Sequence, residues 1–229
     1  MVTEPLPETT DSLRRRESAT CETLAVIHAR RSVSTLGEPG PSADELEVIL
    51  AAAAAAPDHK ELRPWRFVVV EGEARQELGE ILADALAKRL AAAGQVATTG
   101  QLDKERRKPL RAPTLVGVLC VPDTSGRVPL VEQLSSTAAA AQNALLAATA
   151  LGLGSMWRTG SAATDESVRQ ALGVGPEDTV VGWLYLGTPR GTGHKPPRSI
   201  DLDGLVRRWQ PRGSGSIGDR ARHEPARRC

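Results

Sequence analysis

The chain has 229 residues, 40% of them hydrophobic and 25% charged, with a formal net charge of +1. This balance excludes a chain disordered throughout, and the length suits one large domain or two small ones that bury about 70% of the unfolded surface without staples. A charge so near zero also argues against nucleic acid or an acidic lipid surface as partner, since either needs a clustered basic face.

Aromatic residues make up only 3% of the chain, so the core must come from Ala, Leu and Val, which lets backbones approach closely. Cys21, Cys120 and Cys229 are widely spaced, and His28, His59, His194 and His223 show no ligand spacing. Neither a disulfide framework nor a metal site is legible, and a reducing cytoplasm is the natural setting. The first residues are acidic where a signal peptide is basic, and no window approaches the ~18 apolar residues of a membrane span.

Residues 1–20 carry Pro5, Pro7 and Arg14–Arg16 with little to bury, which predicts a flexible leader. CETLAVIHARRS then places Leu24, Ala25, Ile27 and His28 at helical spacing and ends in a basic pair, as the negative end of a helix favours. In the next helix Ser42 is the N-cap, Glu45 its capping-box partner and Pro57 the terminator. Trp65–Val70 is a β-branched run closed by Gly72, hence a strand in which Trp65 is core, and a helix follows over Glu73–Ala93. Residues 98–113, TTGQLDKERRKPLRAP, are expected to be irregular. From Leu115 to Pro122 a continuous apolar run predicts a strand covered on both faces. An Ala-rich helix over Glu132–Leu151, stopped by Gly152 and Gly154, offers small side chains for tight packing. SMWRTGSAA is expected to be a loop, DESVRQALG a short helix capped by Asp165, and Thr179 onward a third strand. Residues 191–229, rich in Gly, Pro and Arg, are expected to form a largely disordered, solvated extension, leaving 21–190 as the folded domain.

Four ordered blocks carry a family likeness: HARRSVSTLGEPGPSADELEVIL, AAPDHKELRPWRFVVVEG, AAQNALLAATALGLGSMWRTG and LGVGPEDTVVGWLYLGTP. Together they span most of residues 22–190 and resemble the nitroreductase family of flavin-dependent oxidoreductases, in its short single-domain branch. The resemblance implies an α+β fold, a central mixed or antiparallel sheet flanked by helices, assembled as an intertwined homodimer with FMN at each of two interface sites. It further implies that NADH or NADPH donates hydride to flavin N5 and that a nitro, quinone or similar electrophilic acceptor replaces it at the same face.

Site residues follow from the same likeness. Arg30, Arg31 and Ser32 match an Arg-Arg-Ser that contacts the flavin phosphate and ribityl chain, and an anionic cofactor does need fixed cations and hydroxyls. By residue type alone, an Arg pair at a helix end is usually a solvated surface. His59 matches a histidine lying against the partner's flavin, although a lone loop histidine is ordinarily just exposed. Trp157, Arg158 and Thr159 match a second flavin-contacting segment, with a stacked surface pair as the plain alternative. Ala147, Ala148, Thr149, Ala150, Leu151 and Gly152 match a stretch assigned to the nicotinamide nucleotide, or are simply a helix-packing surface. Asp58, Glu61 and Arg63 depart from the Ser and Asn usual in the wider family's loop. No acid–base dyad or nucleophile is visible, consistent with a cofactor that carries the chemistry. GLGSMW lacks the third glycine and the preceding strand of a dinucleotide fingerprint, and GTPRGTG lacks the end of a phosphate loop. Alternatives are a metabolite-specific flavin dehydrogenase or flavin-cleaving enzyme of the same fold, and a non-catalytic flavin carrier or sensor.

Overall fold

Three β-branched runs pair side by side in a computed structural model that describes residues 22–191 and 201–209. The leader expected over 1–20 and most of the extension after residue 191 lie outside the described residues. The described stretches fall in two separate units. In the first, β2 (Trp65–Glu71) pairs with β3 (Thr114–Cys120), and β3 with β5 (Thr179–Pro189). On the other side of β5 lies β4 (Gly154–Arg158), while the two-residue β1 (Leu36–Gly37) pairs with the end of β5. Every strand pair is antiparallel, with one isolated parallel bridge between Ser32 and Ser155.

Helices cover both faces. Against one lie α2 (Ala43–Ala54) and α5 (Leu130–Ala150), packing Ile49, Ala53, Ala140, Ala141, Ala144 and Leu145 onto Trp65, Val116, Val118 and Leu184. Against the other lie α3 (Ala74–Ala92) and α7 (Glu166–Ala171), packing Leu78, Leu82 and Val168 onto Leu115, Leu119, Trp183 and Tyr185. The continuous apolar run of β3 is therefore buried at every residue, as its sequence predicts. Between α2 and α5 the fully buried Ala side chains bring the helices close enough for Asn143 Nδ2 to donate to Ala52 O at 3.1 Å.

Local signals set several boundaries. Glu45 N donates to Ser42 Oγ at 3.2 Å and Ser42 N to Glu45 Oε2 at 2.8 Å, the expected capping box. Asp165 caps α7 through Ser167 N at 3.0 Å. After α5, Gly152 has φ +77°, and Gly152 N and Leu153 N return to Thr149 O and Ala148 O, a Schellman closure. A residue with a Cβ is disfavoured at that φ.

Two expectations are corrected. Residues 98–113 are not irregular: they form α4 (Thr99–Arg106) and a 3-10 turn (Pro109–Arg111). A Thr98–Gln101 capping box starts α4, and Arg106 bridges Asp103 and Glu80 of α3, so its hold comes from caps and ion pairs rather than an apolar face. The SMWRTGSAA segment is not a loop, since Gly154–Arg158 is β4 and α6 (Ser161–Thr164) follows. Its strand character comes from pairing with β5, which a five-residue window does not display.

In the helix over residues 22–29, α1, only Val26 is partly covered, and Leu24 and Ile27 are 50% and 45% exposed. The second unit's described residues, 201–209, make a turn in which Leu205 N and Val206 N donate to Leu202 O.

Candidate functional site

Arg30, Arg31 and Ser32 leave the C-terminal end of α1 and run directly to β4. Arg31 Nη1 donates to His28 O at 3.0 Å and Arg30 O at 2.9 Å, holding its half-buried guanidinium at the helix end. Ser32 then bridges Ser155, and Val33 N donates to Ser155 O at 2.9 Å. Two segments more than 120 residues apart in sequence thus become neighbours, and both carry the arginines and hydroxyls that the sequence singled out. Beyond Ser155, the outer edge of β4 faces no other strand among the described residues.

Strand alternation divides the side chains of β4. Trp157 packs on the α5 face with Leu184 and Val181. Arg158 lies on the opposite face, its Cζ 5.3 Å from the centre of the Tyr185 ring. Gly182 makes room for the indole, because a Cβ there would stand 2.1 Å from Trp157 Nε1. Thr159 is exposed just past the strand.

The polar inventory fits an absent polar group here. Among the described residues, Ser155 Oγ, Trp157 Nε1 and Arg158 Nε are buried without a hydrogen-bond partner, three such atoms on one five-residue strand. Unpaired buried polar atoms are uncommon and need a reason. A phosphorylated polyol offers acceptors for a guanidinium and a donor for a serine oxygen, so Arg158 and Ser155 suit it, while the Trp157 indole nitrogen is turned against Gly182. Burial pushes the Tyr185 hydroxyl up, opposed by the Arg158 and Arg111 guanidiniums. Burial likewise pushes the Cys120 thiol up, which keeps it protonated and unsuited to nucleophilic work.

Residues 147–152 close α5 just before β4. Ala148 is fully buried and Thr149 Oγ1 donates to Leu145 O at 2.8 Å, while Ala150, Leu151 and Gly152 are exposed and Ala147 is half-buried.

His59 is elsewhere. It opens a 3-10 turn (His59–Glu61) between α2 and β2, and its Nδ1 lies 2.9 Å from Glu132 Oε2 in the first turn of α5. The row Trp65–Cys120–Thr179 marks this end of the sheet, and Ser155 stands opposite Leu186, seven residues along β5 and three strands across. At strand spacings of about 3.4 and 4.8 Å, Trp65 and Ser155 are about 28 Å apart along the sheet, and His59 stands on the loop before Trp65. Within one chain His59 and Ser155 form no common site.

The nitroreductase family model matches residues 27–188. The chain belongs to the nitroreductase family. Over 172 residues it is 38% identical to "Putative NAD(P)H nitroreductase YdjA" of Escherichia coli (strain K12), covering 74% of this chain and 89% of that protein. It is 32% identical to "Putative NAD(P)H nitroreductase" of Haemophilus influenzae over 188 residues, 81% of this chain and 98% of that one. Among solved structures, the nitroreductase with bound FMN from Bacteroides fragilis is 28% identical, with TM-score 0.63 and coverage of 82% of this chain and 99% of that chain. The nitroreductase-like protein from Bacillus cereus shares the fold at TM-score 0.68 and 24% identity, covering 82% and 96%. The α+β architecture is thus a nitroreductase fold.

Three residues of the candidate site escape a reading by motif. Ser155 and Tyr185 take their places from the β4–β5 register, which is tertiary. Glu132 reaches His59 across 73 residues of sequence. Gly182 did carry a signal, a glycine within an apolar strand, which marks a close approach of another group.

Proposed function

We propose that this member of the nitroreductase family is an FMN-dependent NAD(P)H oxidoreductase acting on nitro, quinone or similar electrophilic acceptors. The observation that carries the reading is the Ser32–Ser155 bridge, which joins Arg30, Arg31 and Ser32 to a strand bearing three buried, unpartnered polar atoms. The family membership, the NAD(P)H nitroreductase name of the E. coli relative and the FMN in the B. fragilis structure support it.

Arg30, Arg31 and Arg158 hold the anionic end of the cofactor, Ser32 and Thr159 bond its polyol, and Trp157 gives it an apolar wall. When bound, FMN supplies the redox chemistry, accepting a hydride equivalent from reduced nicotinamide and passing two electrons to the acceptor. The chain's own residues orient the reactants and exclude water. Of residues 147–152, the exposed Ala150–Gly152 surface is the part open to a nicotinamide nucleotide.

The working unit is a homodimer. His59 lies beyond the opposite end of the sheet from Ser155 in its own chain, so it completes the site of a second copy. Exposed Leu24 and Ile27 on α1 supply apolar surface for that contact. A metabolite-specific acceptor is the second reading, favoured by the charged loop Asp58–Arg63, in which Lys60, Glu61 and Arg63 have positive φ.

Protein stripped of flavin and incubated with excess FMN is expected to bind it near one per chain, and the bound flavin to bleach anaerobically on mixing with NADH or NADPH. No stoichiometric flavin overturns the reading, and flavin that stays oxidised makes the protein a carrier. Rapid reoxidation by a broad panel of quinones and nitroaromatics supports the first acceptor reading; reduced flavin that survives the panel supports the second.

A further inference from the structure

We propose that Glu132 is a positioning residue for His59, fixing its imidazole in the Nδ1–H tautomer so that Nε2 is presented outward. The proposal rests on the reading above, in which His59 completes a flavin site, but its geometry stands within one chain. Glu132 Oε2 lies 2.9 Å from His59 Nδ1. An ionised carboxylate only accepts, so Nδ1 must carry the proton, and in the neutral ring Nε2 is then the bare acceptor nitrogen. Free imidazole side chains favour the other tautomer, so the choice is imposed by the carboxylate.

The two partners differ in rigidity. Glu132 sits in the first turn of a 21-residue helix, where the positive end of the helix favours a carboxylate. Its neighbour Gln133 is buried and ties that helix start to the preceding loop, donating to Asp123 O and Val128 O at 3.0 Å and accepting from Asp123 N at 2.7 Å. His59 instead begins a loop whose residues Lys60, Glu61 and Arg63 have φ of 64°, 52° and 48°, left-handed values that side chains disfavour. Asp58 Oδ2 holds that loop from inside through Arg63 N at 2.5 Å. On the His59 side chain itself, Glu132 is the partner that links it to the rigid helix. A strained loop held at both ends is a way to present one side chain in one orientation, and that is the service a shared cofactor site needs.

The test uses the full-length protein. Long-range 1H–15N spectra near pH 8.5, with His59 assigned by loss of its signals in His59→Gln, are expected to show the Nδ1–H pattern in the native protein. Glu132→Ala should move it toward Nε2–H. FMN titration should show binding weakened about two- to fivefold in Glu132→Ala, the range of a half-exposed charged contact. Glu132→Gln, which keeps an acceptor oxygen, should recover part of it. An Nε2–H pattern in the native protein, or an unchanged tautomer in Glu132→Ala, overturns the proposal whatever His59 binds. Unchanged FMN affinity in His59→Ala overturns the flavin role of His59, and a tautomer still set by Glu132 then upholds the positioning.

Discussion

At the corner where Ser32 meets Ser155, the functional side chains stand on a β-strand with regular backbone, and neighbouring glycines make the room they need. Beyond the opposite end of the sheet, His59 stands on a loop in which three non-glycine residues adopt left-handed φ. The first place is held by five residue pairs between β4 and β5 and by burial. The second is half-exposed and held by two carboxylates, Asp58 and Glu132. On the proposed reading, the difference separates two tasks. Binding a polyanion calls for fixed cations on a rigid scaffold, whereas a side chain offered to another subunit must project from the surface, where packing cannot orient it.

The comparison breaks most sharply in mixed dimers. Arg158→Ala is expected to weaken FMN binding about ten- to a hundredfold, the loss of a charged hydrogen bond or two. When Arg158→Ala and His59→Ala chains are coexpressed and reassorted, half the dimers are mixed, and each pairs one intact Arg158 with one intact His59. About a quarter of all sites should then recover native affinity. Titration showing no recovered fraction means that the two corners do not meet across chains.

Next in size is Gly182→Val. The new side chain collides with Trp157 and with Arg158 O, 3.0 Å from a Cβ there. Overpacking of this kind costs about 1–3 kcal/mol, or about 3–10 °C in thermal midpoint for a domain of this size. A midpoint unchanged within error shows that the indole does not rest on Gly182. The smallest effect separates the backbones. Lys60→Gly removes a left-handed strain but loosens the unfolded chain, for a net gain of about 0.5 kcal/mol. Gly152→Ala, which imposes φ +77° on a side chain, should lose about 1 kcal/mol. Chemical denaturation compares the pair, and equal signs dissolve the contrast between loop and helix end.

Much of the fold is legible in the sequence because its signals are local. Ser42 and Glu45 cap α2, Gly152 closes α5, and the unbroken apolar run of β3 announces cover on both faces. The misread segments are those whose structure comes from partners distant in sequence. Gly154–Arg158 becomes a strand because β5 has a free side at Trp183–Gly187. Residues 99–106 become a helix because Gly79 lets α3 approach, a Cβ there standing 2.5 Å from Arg106 O, and because Glu80 bridges Arg106. For the candidate site, the family motifs pointed to Arg30–Ser32, His59 and Trp157–Thr159, but residue types alone left each as plausible surface.

By itself the sequence determined the elements with their own caps and periodicities, the small-residue core and the family, since each is written in short runs of residues. Only the tertiary structure decided that Ser32 lies beside Ser155, that Trp157 and Arg158 face opposite sides of one strand, and that His59 is paired with Glu132 at the far end of the sheet. Those are matters of strand register and helix placement, set by the burial of two apolar faces at once, and no local stretch of sequence contains them.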